Sequence, residues 1–273
     1  MGILSGLQSD PRGTLILLLY QIPAILIALT LHELSHGYVA LRCGDPTAQM
    51  LGRLSFNPLR HLDPVGTACM VLFGFGWARP VPVNPRNYKR FRRDDVLVSL
   101  AGVAMNFCLF LFSTVLLFIL VHVSVSPEVW EMGTGYKDFL RFDGWNFYSI
   151  LSGENVLFIT KDGGLYYIEH LEKFMKFPWT LYILRFLMFF TRINLSLAVF
   201  NLLPIPPLDG YHVVNDILLR GKLHIPSKVI NVIMIGMLAA FYFTSFFSRM
   251  ISTAVIFVQG GVVSGLLALF GLG

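Results

Sequence analysis

Charge is what this chain has least of. Only 14% of its 273 residues are Asp, Glu, Lys or Arg, 55% are hydrophobic, and the mean hydropathy is +0.66. A soluble domain carries about a quarter charged residues, so a water-exposed globular protein is excluded. The deficit is concentrated. No side chain charged at neutral pH occurs from Gly13 to Leu31, from Val96 to Val121, from Val229 to Ser248 or from Met250 to Gly273. Such runs are long enough to cross the roughly 30 Å of bilayer hydrocarbon at about 1.5 Å per residue.

Cysteine is scarce as well. Cys43, Cys69 and Cys108 show no CxxC spacing. That excludes a disulfide framework and a zinc site built of thiolates; the three read as small apolar residues. A basic segment ahead of the first apolar run is missing too, so no cleavable signal peptide is expected.

The net charge of +5 does not indicate a nucleic-acid partner, because of where the cations fall. Twelve of the 21 Lys and Arg residues lie in three short stretches: Arg42, Arg53 and Arg60; Arg79, Arg86, Lys89, Arg90, Arg92 and Arg93; and Arg220, Lys222 and Lys228. Basic residues gather in cytoplasmic loops, so these loops are expected on that side. From Val123 to Lys176 acidic residues outnumber basic ones eight to five, which suits the opposite side.

Five spans are predicted, at about Thr14–Leu41 (with Pro23 as a kink site), Asp95–His122, Pro178–Leu203, Val229–Phe247 and Ile251–Phe270. The alternation over Gln49–Phe56 predicts a short hairpin or edge strand, to which an unwound substrate segment can add. Val65–Trp77 is too short for a comfortable span and reads as a re-entrant or buried helix. Ala78–Pro85 is proline-rich and reads as irregular. Asn155–Thr160 and Leu165–Ile168 flank Lys161-Asp162-Gly163-Gly164 as a β-hairpin, and Ile168–Phe177 reads as a short amphipathic interfacial helix.

The expected fold is an all-α polytopic membrane protein with small β-hairpin elements in loops. It is read as a single domain: a three-helix catalytic core within residues 1–220, an extracytoplasmic insertion at about 123–177, and a C-terminal helix pair in 221–273.

Against this apolar background stands His32-Glu33-Leu34-Ser35-His36. On a helix, positions i and i+4 share a face, so His32 and His36 can grip one metal ion. Glu33, one step round, can serve as general base toward a water activated by that metal. Ionisable groups at membrane depth are costly and point to function. A catalytic zinc site needs a third protein ligand. The candidate is Asp209, at the proline-flanked break after the third span, where irregular backbone is tolerated only beside protein or water. Its alternative role is a helix N-cap for Gly210–Arg220.

HELSH in an apolar helix, with Asn201-Leu202-Leu203-Pro204-Ile205-Pro206-Pro207-Leu208-Asp209-Gly210 downstream, resembles the site-2 protease family of intramembrane zinc metalloproteases. The resemblance runs from about Thr14 to Arg220. It includes Ala101-Gly102-Val103-Ala104-Met105-Asn106, similar to the family's motif in the middle core helix, and Asn57–Pro64, similar to a prokaryotic branch with a short loop there. No PDZ-like or CBS-like segment is seen, and the 123–176 insertion departs from the family pattern.

The resemblance implies one zinc ion held by His32, His36 and Asp209, Glu33 as catalytic base, and Asn201 as a polar group near the scissile carbonyl; Asn201 is read as an oxyanion donor or as an interhelical hydrogen bond. The resemblance also implies a multi-pass protein of the bacterial inner membrane, with its site toward the cytoplasm and transmembrane proteins of the bilayer as substrates.

Asn106 is read equally as a buried packing amide or a site contact. His61 and Asp63 are read as turn residues or accessory groups, and Arg185 and Arg192 as pairing with buried acceptors or snorkelling. His122, His170, His212 and His224 receive no role. Two other functions stay open on the residues alone: a transmembrane metal transporter, and a non-proteolytic membrane adaptor.

Overall fold

The structure is a computed structural model that describes residues 7–64, 66, 77–126, 140–142, 150, 156–159, 165–168, 171–223 and 225–271. Helix α1 spans Pro11–Cys43, α2 Phe91–Ser124, α3 Thr180–Asn201, α4 Asp209–Ile217, α5 Ser227–Phe243 and α6 Phe246–Leu269. Of these, α1, α2, α3 and α6 are each long and apolar enough to cross a membrane. The 17 residues of α5 are fewer. The protein is an all-α polytopic membrane protein, as the charge-free runs predict.

Local chemistry sets the ends of α1. The Asp10 carboxylate accepts the Gly13 N–H at 3.0 Å, filling one of the orphan donors of the first turn. Gly44, at φ 109°, closes the C-terminus in the left-handed region that side chains avoid. The helix runs through Pro23 without a break. On α2, the Asp94 carboxylate accepts the Arg90 N–H at 2.7 Å.

Packing divides the chain into two compact units. One comprises Leu26–Cys108 and Asn194–Thr253. It contains Asp45, fully buried, whose carboxylate accepts the N–H of Asn84 at 2.6 Å, the N–H of Thr47 at 3.1 Å and the Asn87 amide at 2.8 Å. Four donors from two loops, the Thr47 hydroxyl included, converge on this carboxylate and tie 84–87 to the end of α1.

The other unit comprises Gly6–Ile25, Leu109–Ile193 and Ala254–Gly273. Several polar groups inside its helices are paired. Thr191 donates to Ser113 at 2.9 Å. Gln259 of α6 accepts the Phe142 N–H at 3.1 Å and donates to the Leu140 carbonyl. Arg185 donates to the Ile150 carbonyl at 2.9 Å, the buried acceptor expected for it. Bonds of this kind remove the cost of a polar group in an apolar interior.

The insertion leaves α2 at Ser124 and returns through an antiparallel bridge between Val125 and Met175, with the Lys176 N–H donating to the Ser124 carbonyl at 2.8 Å. Its hairpin is present: strand β1, Val156–Ile159, pairs antiparallel with β2, Leu165–Ile168.

Two local expectations need correction. Gln49–Phe56 forms no strand among the described residues: Thr47–Met50 is a helical turn, set by Asp45 bonding to Thr47, and the following residues turn away. The extended pairing in this region is instead Leu62 with Ala78. Ile168–Phe177 is not an amphipathic helix; it holds a single 3₁₀ turn, Leu171–Phe174, pinned by the bridge at Met175. The helix read over Val65–Trp77 falls, apart from Gly66 and Trp77, outside the described residues.

Candidate metal centre

α1 places His32 and His36 one turn apart on a single face, with their Nε2 atoms 3.0 Å from each other. Asp209 is the first residue of α4. Leu208 before it is extended, and Gly210 after it packs so closely on the Leu202 and Leu203 carbonyls that no Cβ would fit. This turn carries Asp209 Oδ2 to 3.3 Å from His32 Nε2 and 3.4 Å from His36 Nε2.

The imidazole tautomers follow from their other partners. His36 Nδ1 lies 2.7 Å from the Val98 carbonyl, which only accepts, so Nδ1 carries the proton. His32 Nδ1 lies 2.5 Å from Asn106 Oδ1, whose own amide donates to Asn194 Oδ1 at 2.9 Å. Nδ1 of His32 is therefore also a donor. Both Nε2 atoms then present lone pairs to each other and to the Asp209 carboxylate. Asp209 Oδ2 is buried with no hydrogen-bond donor.

Three acceptors facing one another repel unless a cation lies among them. A tetrahedral zinc ion with bonds of about 2.0–2.1 Å holds its ligand atoms about 3.3–3.4 Å apart, close to this triangle. The residues thus fit zinc.

Space for the rings comes from α2. A Cβ on Gly102 would overlap His36 Nε2 and lie 2.5 Å from His32 Cε1 and 2.7 Å from His32 Nδ1. Glu33 projects from the same turn of α1. Its Oε2 accepts the Val81 N–H at 2.8 Å. Val81 stands between Pro80 and Pro82, which have no N–H, so it is the one backbone donor of that triplet. Arg53 Nη2 in turn holds the Arg79 and Pro80 carbonyls at 2.8 and 3.1 Å.

These groups open on a cavity of about 520 Å³ lined by His32, Glu33, His36, Asn201, Asp209 and His212 among others. The structure brings the expected ligands and base together and puts Asn201 on the cavity wall. Asn201 spends one amide hydrogen on the Leu197 carbonyl, 3.1 Å away. Asn106 is a site contact through His32. His61 is not: its Nε2 lies 2.7 Å from the Ser55 carbonyl, and Asp63 accepts the Gly66 N–H at 2.8 Å. Among the described residues, His32, His36 and Asp209 are the group able to hold a metal ion.

Sequence reading did not find Val81, Arg53, Gly102 as ring space, or Asn194. The Pro80-Val81-Pro82 triplet carried a signal, a lone N–H donor between two prolines. It also passed over His212, whose Nδ1 lies 3.3 Å from Asp95 Oδ2.

Residues 20–244 match the family described as Peptidase family M50. The chain is 35% identical over 202 residues to the Bacillus subtilis (strain 168) protein named "Putative zinc metalloprotease YwhC", covering 74% of this chain and 70% of that one. No solved structure matches it.

Proposed function

The chain belongs to peptidase family M50, the site-2 protease family, and from that premise we propose that it is an intramembrane endopeptidase. Its substrates on this reading are single-span membrane proteins, cut within or near their transmembrane segments, with the fragment released toward the cytoplasm. The observation that carries the reading is the His32–His36–Asp209 triangle with Glu33 on the adjacent position, set on a helix whose preceding run from Gly13 to Leu31 holds no charged side chain. The basic loops around Arg53 and Arg86–Arg93 support a cytoplasmic-facing site and an inner-membrane location.

The zinc ion that His32, His36 and Asp209 would hold supplies Lewis acidity toward water and the scissile carbonyl. The chain's own groups do the rest. Asn106 and the Val98 carbonyl orient the two imidazoles so that Nε2 of each faces Asp209. Val81 pins Glu33 Oε2, leaving Oε1 to take a proton from the attacking water and return it to the departing amide nitrogen. Asn201 retains one amide hydrogen for the developing oxyanion.

A transporter places ligands at similar depth but has no use for a base fixed by a dedicated backbone donor. The test is a proteomic comparison of cells carrying wild type and Glu33→Gln. Membrane-protein fragments that accumulate uncut only in the mutant support the protease; zinc flux into vesicles that persists in Glu33→Gln, without such fragments, rejects it.

A further inference from the structure

His212 lies on α4 one turn beyond Asp209, so the two side chains share a face. It lines the same cavity as Glu33 and the two metal-facing histidines. Its side chain is 49% exposed, whereas that of Asp95, 3.3 Å from its Nδ1, is 13% exposed. The more buried Asp95 carboxylate thus holds the Nδ1 edge of a ring that is itself half exposed. Asp95 comes from the first turns of α2, a different element, so the ring is located by two helices at once. Asp216, one turn further along α4, backs the pair. Burial and the neighbouring Asp95 carboxylate push its own carboxyl up to about 6, against the opposing pull of His212 and Arg92.

Resting on the protease reading, we propose that His212, held by Asp95, is a further catalytic residue that donates a hydrogen bond from Nε2 to the oxyanion formed when water adds to the scissile carbonyl. A donor at Nε2 with Nδ1–H on Asp95 requires the doubly protonated ring. The geometry favours it: Nδ1 faces the Asp95 carboxylate at 3.3 Å, and that hydrogen bond together with the Asp95 charge raises the His212 pKa while burial opposes. His212 transfers no proton in this role; Glu33 still carries the water's proton to the leaving nitrogen. The charged donor complements Asn201, which has already committed one amide hydrogen to Leu197.

The experiment uses the full zinc-loaded chain in lipid vesicles with co-reconstituted single-span polypeptides, comparing wild type, His212→Ala, Asp95→Asn and Glu33→Gln. His212→Ala is expected to lower kcat roughly 100-fold, the cost of one oxyanion donor, with KM and zinc content close to wild type. Asp95→Asn should show the same split to a smaller degree. A peptidyl phosphonamidate, a tetrahedral anion, should bind His212→Ala at least tenfold more weakly, while 1,10-phenanthroline inhibits both alike. Glu33-dependent cleavage that persists at the wild-type rate in His212→Ala overturns this role alone, and so does loss of zinc in step with activity. Cleavage unaffected by Glu33→Gln overturns the protease reading and this inference with it.

Discussion

The N–H of Val81 donates to Glu33 Oε2 over 2.8 Å, so a backbone group on a loop fixes the carboxylate of a helix residue 48 positions earlier. Substituting Val81 by Pro removes that donor. A hydrogen bond to a charged group is worth about 1.5–3 kcal/mol, so kcat should fall about tenfold to a hundredfold. Zinc content should stay at the wild-type level. Arg53→Met, which frees the Arg79 and Pro80 carbonyls, should produce a smaller loss of the same kind. Steady-state kinetics beside metal analysis decides; unchanged kcat in both variants would show that Glu33 needs no such support.

Gly102 is the space in which the imidazoles sit. Gly102→Ala should drive His32 and His36 out of line with Asp209 and lower zinc occupancy measurably, while the helix itself gains from the added propensity. The check is zinc stoichiometry with circular dichroism on the same sample. Full occupancy with unchanged helicity would contradict the tight packing.

Asn106 holds the proton-bearing edge of His32 and is itself held by Asn194. Partners of this kind typically change metal affinity by about 10- to 100-fold. Asn106→Leu should weaken zinc within that range, and Asn194→Leu should do so less. Competition with a chelator of known affinity measures both.

Asp45 is a stability element far from the chemistry. Asp45→Ala leaves the Asn84, Thr47 and Asn87 donors without a partner and should cost about 3 kcal/mol. Burial opposes the charge of Asp45, but hydrogen bonds from Asn84, Thr47 and Asn87 outweigh it and lower the pKa. A lowered carboxyl stabilises the fold above its ordinary range near 3.8 and loses that contribution as pH falls through the folded value. In wild type the contribution should therefore persist from pH 7 to 5 and disappear only in stronger acid. Thermal unfolding in detergent, wild type against Asp45→Ala, tests it: a gap between them that closes by pH 5 would refute the assignment.

The helices and the chemistry of the site were legible because their causes are local. Charge-free runs mark α1, α2, α5 and α6 wherever they are placed in space, since ions are costly in lipid, and α3 is marked by its apolar composition despite Arg185 and Arg192. The i, i+4 spacing aligns His32 with His36 by helix geometry alone. The hairpin of β1 and β2 was legible in the same way, from a Gly-containing turn between two short apolar runs. Gln49–Phe56 misled because alternation describes only one strand's own side chains. A single carboxylate, Asp45, caps Thr47 and turns the segment into a helical turn.

By itself the sequence determined an all-α membrane protein bearing two histidines, a base and a distant aspartate. Which groups surround them was decided by the tertiary structure: Val98, Gly102 and Asn106 against the imidazoles, Val81 against Glu33, Asp95 behind His212. The reason is physical. Periodicity and hydropathy are properties of neighbours along the chain, whereas a hydrogen bond between residues 48, 74 or 117 positions apart exists only once helices have packed and brought the donor to its acceptor.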